Sequence, residues 1–301
     1  MSIASLLTDI VADPKAANFT RLQALSNLSG EQQREFAATW PTLPVERRRS
    51  IVAWLDELAE DNVELNFEPV FVAMLDDPDP TVRRQAVEAL WESHDWSLVP
   101  RFLFLLQHDP DPDVRAAAAA ALAKYELAVE LDERKSRFGP EMDRALLDCV
   151  ANEAEAPQVR RRALEAVSTR SLPEVPLAII EARSSDIPDL RLGAIYAMGR
   201  TCDERWLDDL LEALESSDPE MRFEALGALG ELEAESAVPN IAPLVEDADS
   251  EVQLAAIDAL GKIGGEEAKA ILRRYAGRPS PLQEAALEAL AEAEFRDDPL
   301  T

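Results

Sequence analysis

Apolar and small residues return along this chain at helical spacing, in a frame that itself repeats. Arg83, Ala86, Ala89 and Leu90 set the frame. It returns as Arg115/Ala118/Ala121/Leu122, Arg160/Ala163/Ala166/Val167, Arg191/Ala194/Ala197/Met198 and Arg222/Ala225/Ala228/Leu229. Gln leads it in Gln253/Ala256/Ala259/Leu260 and Gln283/Ala286/Ala289/Leu290. An apolar residue comes just before each: Val82, Val114, Val159, Leu190, Met221, Val252 and Leu282. With the leading Arg or Gln numbered zero, positions −1, +3, +4, +6 and +7 share one side of a helix, and +1, +5 and +8 lie opposite. One amphipathic helix per repeat is therefore predicted. The leading residues follow one another at steps of 32, 45, 31, 31, 31 and 30. A fixed period of that size predicts stacked supersecondary units in an open array.

The stretch 233–263 shows what one unit contains. Val238-Pro239 opens a first helix with Ile241, Leu244 and Val245 on one side, since proline is tolerated where first-turn amides have no acceptor. Asp247-Ala248-Asp249-Ser250 is turn chemistry, and Asp249 is placed to cap the second helix. The small alanines let neighbouring helices approach closely. This reading predicts an all-α array of about eight helix pairs over 31–295, a helical cap over 1–30 and a short tail at 296–301. Asp13-Pro14 breaks the cap. The first pair is degenerate: Arg47/Ser50/Ala53/Trp54 fits the frame, but Glu46 stands where an apolar residue is expected. The step of 45 exceeds the usual 31 by 14 and places an insertion near 127–139, where Glu130 to Arg137 is dense in charge.

The recurring Arg83, Arg115, Arg160, Arg191 and Arg222 lie near turn acids such as Asp79, Asp111 and Asp218. They are expected to pair with acids of their own or the adjacent turn as a structural ladder, which the two Gln units weaken. The opposite face of the second helices is the candidate working surface. Its +1 and +5 positions supply Leu192, Tyr196, Phe223 and Leu254, an apolar strip over three consecutive units with Gly199, Gly227, Gly230 and Gly261 leaving space beside it. Trp91 with Arg84 and Glu88 is a second candidate.

Charge narrows the partner. The net charge is −29, from 59 acids against 30 bases. A field of that sign repels phosphate backbones and argues against nucleic-acid binding. It favours a basic or amphipathic protein segment, and it also suits a salt-tolerant source. No apolar run approaches a membrane span, and Met1 to Val11 lacks the basic start of a signal peptide, so a cytoplasmic protein is expected. Cys149, read as core, and Cys202, read as a turn residue, form no CxxC pair. His94 and His108 are read as exposed turn residues. No nucleophile–base pair, phosphate loop or zinc helix is visible, so no catalytic residue, metal or cofactor is assigned.

The runs Asp79-Pro80-Thr81-Val82-Arg83, Asp111-Pro112-Asp113-Val114-Arg115 and Asp218-Pro219-Glu220-Met221-Arg222, with Val238-Pro239, Ala225 and Ala228-Leu229-Gly230, resemble the HEAT repeat family. The likeness is to its short bacterial, phycobilisome-lyase-type form and covers roughly 31–295. It implies a right-handed α-solenoid with second helices on the concave side and a non-catalytic adaptor that holds a protein in that groove. Two other candidates stand beside it. One, from the resemblance, is a lyase-type subunit acting on a bilin-like group; the other, from the net charge of −29 rather than the resemblance, is an acidic mimic that occupies a basic nucleic-acid-binding surface on another protein. The family's iron-binding hydroxylases use repeated His-Glu pairs, which two lone histidines do not supply.

Overall fold

In a computed structural model, the chain is described at residues 2–12, 19–132 and 137–296. The expected break at Asp13-Pro14, the middle of the charged insertion and the tail beyond Arg296 lie outside the described residues. All regular elements among the described residues are helical, and the chain divides into two units, Met1–Tyr125 and Glu126–Thr301.

The first unit holds α1 (Ile3–Ala12), α2 (Phe19–Leu22), α3 (Gly30–Thr39), α4 (Val45–Asp61), α5 (Glu68–Met74), α6 (Pro80–Glu88) and α7 (Val99–His108). It also holds most of α8 (Pro112–Glu130). Asp-Pro dipeptides start the second helices. Asp79 accepts from the Val82 amide and Asp111 from the Asp113 and Val114 amides, while Pro80 and Pro112 fill first-turn positions that need no donor. The core here is aromatic. Phe36 stacks on Trp40 with centroids 5.2 Å apart, Phe67 meets Phe71 edge-on, and Trp96 meets Tyr125 edge-on at 5.1 Å.

The degenerate first pair does not use the frame read from sequence. Arg48, not Arg47, is the buried leading residue, and Ile51, Val52 and Leu55 are buried while Ala53 is exposed. Shifting the frame by one residue moves polar Glu46 out of the core and puts three aliphatics into it, so burial decides the register. Arg48 donates to the Leu43 carbonyl and lies 2.9 Å from the buried Asp77 carboxylate, which also accepts from Trp40 Nε1 at 2.6 Å.

The second unit holds α9 (Gly139–Ala151), α10 (Pro157–Val167), α11 (Glu174–Arg183), α12 (Pro188–Arg200), α13 (Leu207–Leu214) and α14 (Pro219–Glu231). It continues with α15 (Val238–Ile241), α16 (Ser250–Ile263), α17 (Gly265–Ala276) and α18 (Gln283–Arg296). The second helices α10, α12, α14, α16 and α18 lie side by side in that order, with first helices packed behind them. The first helix at Val238 is shorter than expected: after Ile241 the chain tightens into a 3₁₀ segment, Ala242–Glu246. Pro243 lacks the amide that would continue the α-helical ladder.

Glycine sets the spacing of these helices. A Cβ on Gly199 would lie 2.6 Å from Ala228 Cα, and one on Gly261 would lie 3.0 Å from Ala289 Cα. At Gly230 the distance to Ala259 Cα would be 3.3 Å. In each case a glycine at +8 receives the backbone of an alanine at +6 in the next second helix. The space expected beside Gly199, Gly230 and Gly261 is therefore filled by the neighbouring helix, whereas nothing lies within 4 Å of a Cβ at Gly227.

The leading residues act first as clasps within their own unit. Arg83, Arg115, Arg191 and Arg222 donate to the carbonyls of Asp77, Asp109, Ser185 and Ser216, each six residues earlier. Gln253 keeps the same bond, to the Asp247 carbonyl at 2.6 Å. Arg160 reaches the Val150 carbonyl instead. Carboxylate pairing is to the adjacent turn: Arg83 grips Asp109 through two 2.7 Å bonds, and Arg222 grips Asp247 at 2.8 and 2.9 Å. Of the two expected pairings, own turn or adjacent turn, Arg83 and Arg222 use the adjacent one, and Asp79 and Asp218 serve elsewhere. Asp79 takes Arg49 at 2.6 Å, and both acids cap helix amides.

Part of the long step goes into α8, which runs for 19 residues. Its last turn in the second unit carries Glu126 and Glu130, which face Arg170 with Asp143 of α9.

Candidate functional site

The outward positions of α12, α14 and α16 meet in a groove of about 440 Å³. Tyr196 and Arg200 come from α12, Phe223, Glu224, Gly227, Ala228 and Glu231 from α14, and Leu254, Ala255, Asp258 and Lys262 from α16. Three large apolar residues stand open there: Tyr196 is 39 % exposed, Phe223 43 % and Leu254 45 %. The frame explains why. Positions +1 and +5 turn away from the stack, and one such residue per helix at a shared register lines up across units. The floor is low because Gly227 has no side chain, although a glycine inside a helix costs about 0.5–1 kcal/mol relative to alanine.

Leu192 corrects the expected strip: it is 3 % exposed. Next to it in sequence, Gly193 is crossed by Arg161, which starts on α10 and reaches past α12 to Glu224 at 3.1 Å and Glu220 at 3.5 Å on α14. Its aliphatic stem crosses α12 at Gly193, where a Cβ would come within 2.9 Å of Arg161 Cγ. Arg161 is also anchored on its own helix by Glu165 at 2.7 Å. The face is thus closed over α12 at its +1 turn, and the open strip is Tyr196, Phe223 and Leu254.

Polar residues at position +9 bound the other end. Glu231 lies between Arg200 at 3.2 Å and Lys262 at 3.3 Å, and Lys262 also meets Asp258 at 3.2 Å. Sequence reasoning missed this row. Its signal was present: Arg200, Glu231 and Lys262 alternate in sign at a spacing of 31. Burial pushes the Glu224 carboxyl above the usual range, and Arg161 opposes the shift. Burial likewise raises the Tyr196 hydroxyl, with Arg200 opposing. For Lys262 burial acts downward, but hydrogen bonds to Asp258 and Glu231 prevail and its pKa is raised. The groove is therefore an apolar floor and wall with charged ends, suited to holding an apolar side chain next to a cation.

In the first unit, Trp91 is 63 % exposed and follows the end of α6. Arg84 donates to both Glu88 carboxylate oxygens at 2.7 Å, so these two charges satisfy each other on the helix surface. The Trp91 carbonyl accepts from Lys124, whose pKa burial lowers to about 8. Exposed apolar residues that the frame did not single out include Phe104, which stacks on His108, Leu177 and Ile180 on α11, and Leu287 on α18, which the frame turns inward. His108 ends α7 rather than sitting in a turn, and Cys149 is half-buried rather than core. Cys202 is exposed in a left-handed turn position at φ 49°. Among the described residues, no group of three His, Cys, Asp or Glu side chains is placed to hold a metal, and no helix is long and apolar enough to cross a membrane.

Comparison with known proteins adds a family. The model for HEAT repeats matches residues 68–168 and 207–291, and that for the PBS lyase HEAT-like repeat matches 190–216. No curated protein matches the sequence. Among solved structures, the chain is similar to the Escherichia coli protein YibA, at 14 % identity and TM-score 0.51 over 94 % of this chain and 98 % of that one. It is similar to the CpcE–CpcF complex of phycocyanin lyase from Nostoc, at 19 % identity and TM-score 0.55 over 89 % and 96 %. It is also similar to the structure of Kap95p bound to RanGDP, at 13 % identity and TM-score 0.50 over 99 % of this chain and 46 % of that one. At these identities the likeness establishes the fold, an all-α solenoid of stacked helix pairs.

Proposed function

The chain belongs to the HEAT-repeat family, and from that premise we propose that it is a non-catalytic docking scaffold whose second unit holds a protein segment in the α12–α14–α16 groove. The carrying observation is that Tyr196, Phe223 and Leu254 stay open side by side over Gly227, while Ala194, Ile195, Ala225, Leu226, Ala256 and Ile257 on the inward side of the same helices are buried. Leaving three large apolar groups in water is unfavourable for the isolated chain, and clustered groups of this kind mark interaction sites. The partner is a basic or amphipathic segment, in keeping with a net charge of −29.

Phe223→Asp tests this. The residue is on the surface, so helicity and melting stay within about 0.5 kcal/mol of the parent. Proteins captured from the native source by the wild-type chain are lost by the variant. Retention of the same captured set by Phe223→Asp rules out this groove.

A second reading draws on the lyase-type repeat at 190–216, which supplies Tyr196 and Arg200 of the same groove. In that reading the groove holds a bilin-like prosthetic group. Visible absorbance that co-elutes with the protein after mixing with bilins supports it, and colourless protein removes it.

A further inference from the structure

We propose that Gly227 is a seat, on which a bulky apolar side chain from a basic amphipathic segment of another protein packs directly against the α14 backbone. This rests on the docking reading above and adds the chemistry of the occupant.

The fold explains several neighbouring glycines. Gly199, Gly230 and Gly261 admit the next helix, and Gly193 admits the Arg161 stem. Gly264 and Gly265 have φ of 68° and 75°, where other residues are strained. Gly227 has none of these reasons. It lies in the middle of α14, its φ is helical, and an added Cβ meets nothing within 4 Å. Alanine would serve the isolated helix better. What glycine provides at 227 is close access to a helix backbone from outside, between the rings of Tyr196 and Phe223 and the side chain of Leu254.

The surrounding charges select the occupant. Glu224 lies three residues before Gly227 and Glu231 four after, so both share its face of α14 and stand toward opposite ends of the groove. Asp258 of α16 and Glu220 of α14 meet Lys262 and Arg161 yet stay 57 % and 60 % exposed, so each can receive a second cation from outside. The cations in the groove wall, Arg200 and Lys262, already share Glu231. A second copy of a chain carrying −29 is repelled, whereas a basic segment is steered in.

Two synthetic peptides test the proposal, one patterned as an amphipathic leucine–lysine helix and one with glutamate in place of lysine. Each is titrated into the full-length chain, Gly227→Ala and Phe223→Asp, and the melting temperature of each protein is recorded. Expected is binding of the leucine–lysine peptide to the wild type, no binding of the glutamate peptide, and at least a tenfold loss in Gly227→Ala together with a higher melting temperature. Equal binding by Gly227→Ala overturns the seat, as does a lower melting temperature, which would mean the glycine serves internal packing. Equal binding of the glutamate peptide overturns the basic occupant while leaving the groove intact. Binding that Phe223→Asp does not weaken, or no binding to the wild type, overturns the groove reading itself.

Discussion

In Met1–Tyr125 the space between helices is filled by rings and a buried ion pair. Trp40, Phe36, Phe67 and Phe102 are among its most buried side chains, and Asp77 joins Trp40 to Arg48 inside it. In Glu126–Thr301 the second helices instead meet through glycine and alanine, backbone against backbone. The difference governs what each unit can present. Rings of different sizes at different positions make each interface of the first unit individual. A glycine at +8 facing an alanine at +6, repeated three times, brings α12, α14, α16 and α18 into one register. Their outward residues then align, and a groove forms. A repeating surface is a product of small residues in the core.

The comparison can be broken most forcefully in the first unit. Asp77→Ala removes the carboxylate that faces the buried Arg48 and the Trp40 indole, and is expected to cost about 3–5 kcal/mol in urea unfolding. A loss below about 1 kcal/mol would mean that the pair is not what organises that core. Next in size is the glycine–alanine contact. Gly199→Ala drives a methyl into the Ala228 backbone, and a loss of about 1–3 kcal/mol is expected. The same substitution at Gly227, on the adjacent helix, acts in the opposite direction. If both variants melt alike, close approach is not what distinguishes these glycines.

At neutral and lower pH the smallest change is expected at Glu126, fully buried beside Asp143, Glu130 and Arg170. Burial and the Asp143 charge raise its pKa to about 9, with Arg170 opposing. A carboxyl raised above its ordinary 4.5 binds more protons folded than unfolded between those two values. Its contribution to stability is full below 4.5 and is lost as pH rises through 9. Glu126→Gln, which copies the protonated form, should match the wild type near pH 5 and melt higher at alkaline pH. Lys124, lowered to about 8, titrates in both proteins and cancels in the difference. A difference independent of pH would show that Glu126 is ionised throughout.

Much of this is legible in the amino-acid sequence. The frame marked Val82, Ala86, Val114, Ala118, Val252 and Ala256, all buried, because each sits where helical geometry and apolarity agree. Tyr196, Phe223 and Leu254 came from the same geometry read on the other side. Three things escaped it. Leu192 is buried, and Arg161 reaches from α10 past α12 to α14; a long side chain's reach has no periodic signature. Arg48 took the place of Arg47 because three aliphatics outweighed a motif match. The clasp to a carbonyl escaped because backbone acceptors carry no letter in the sequence; Gln253 keeps that bond although its amide carries no charge for the ladder.

That clasp bears on how the protein folds. A contact between a side chain and a carbonyl six residues back closes a small ring, which needs little loss of chain freedom and forms early. Neighbouring units meet across about thirty residues, still short for a chain of this length. Contacts of this range favour rapid folding that begins in any hairpin and spreads to its neighbours. Each hairpin acquires its bend before the next one docks, so nucleation can start at several places along the chain.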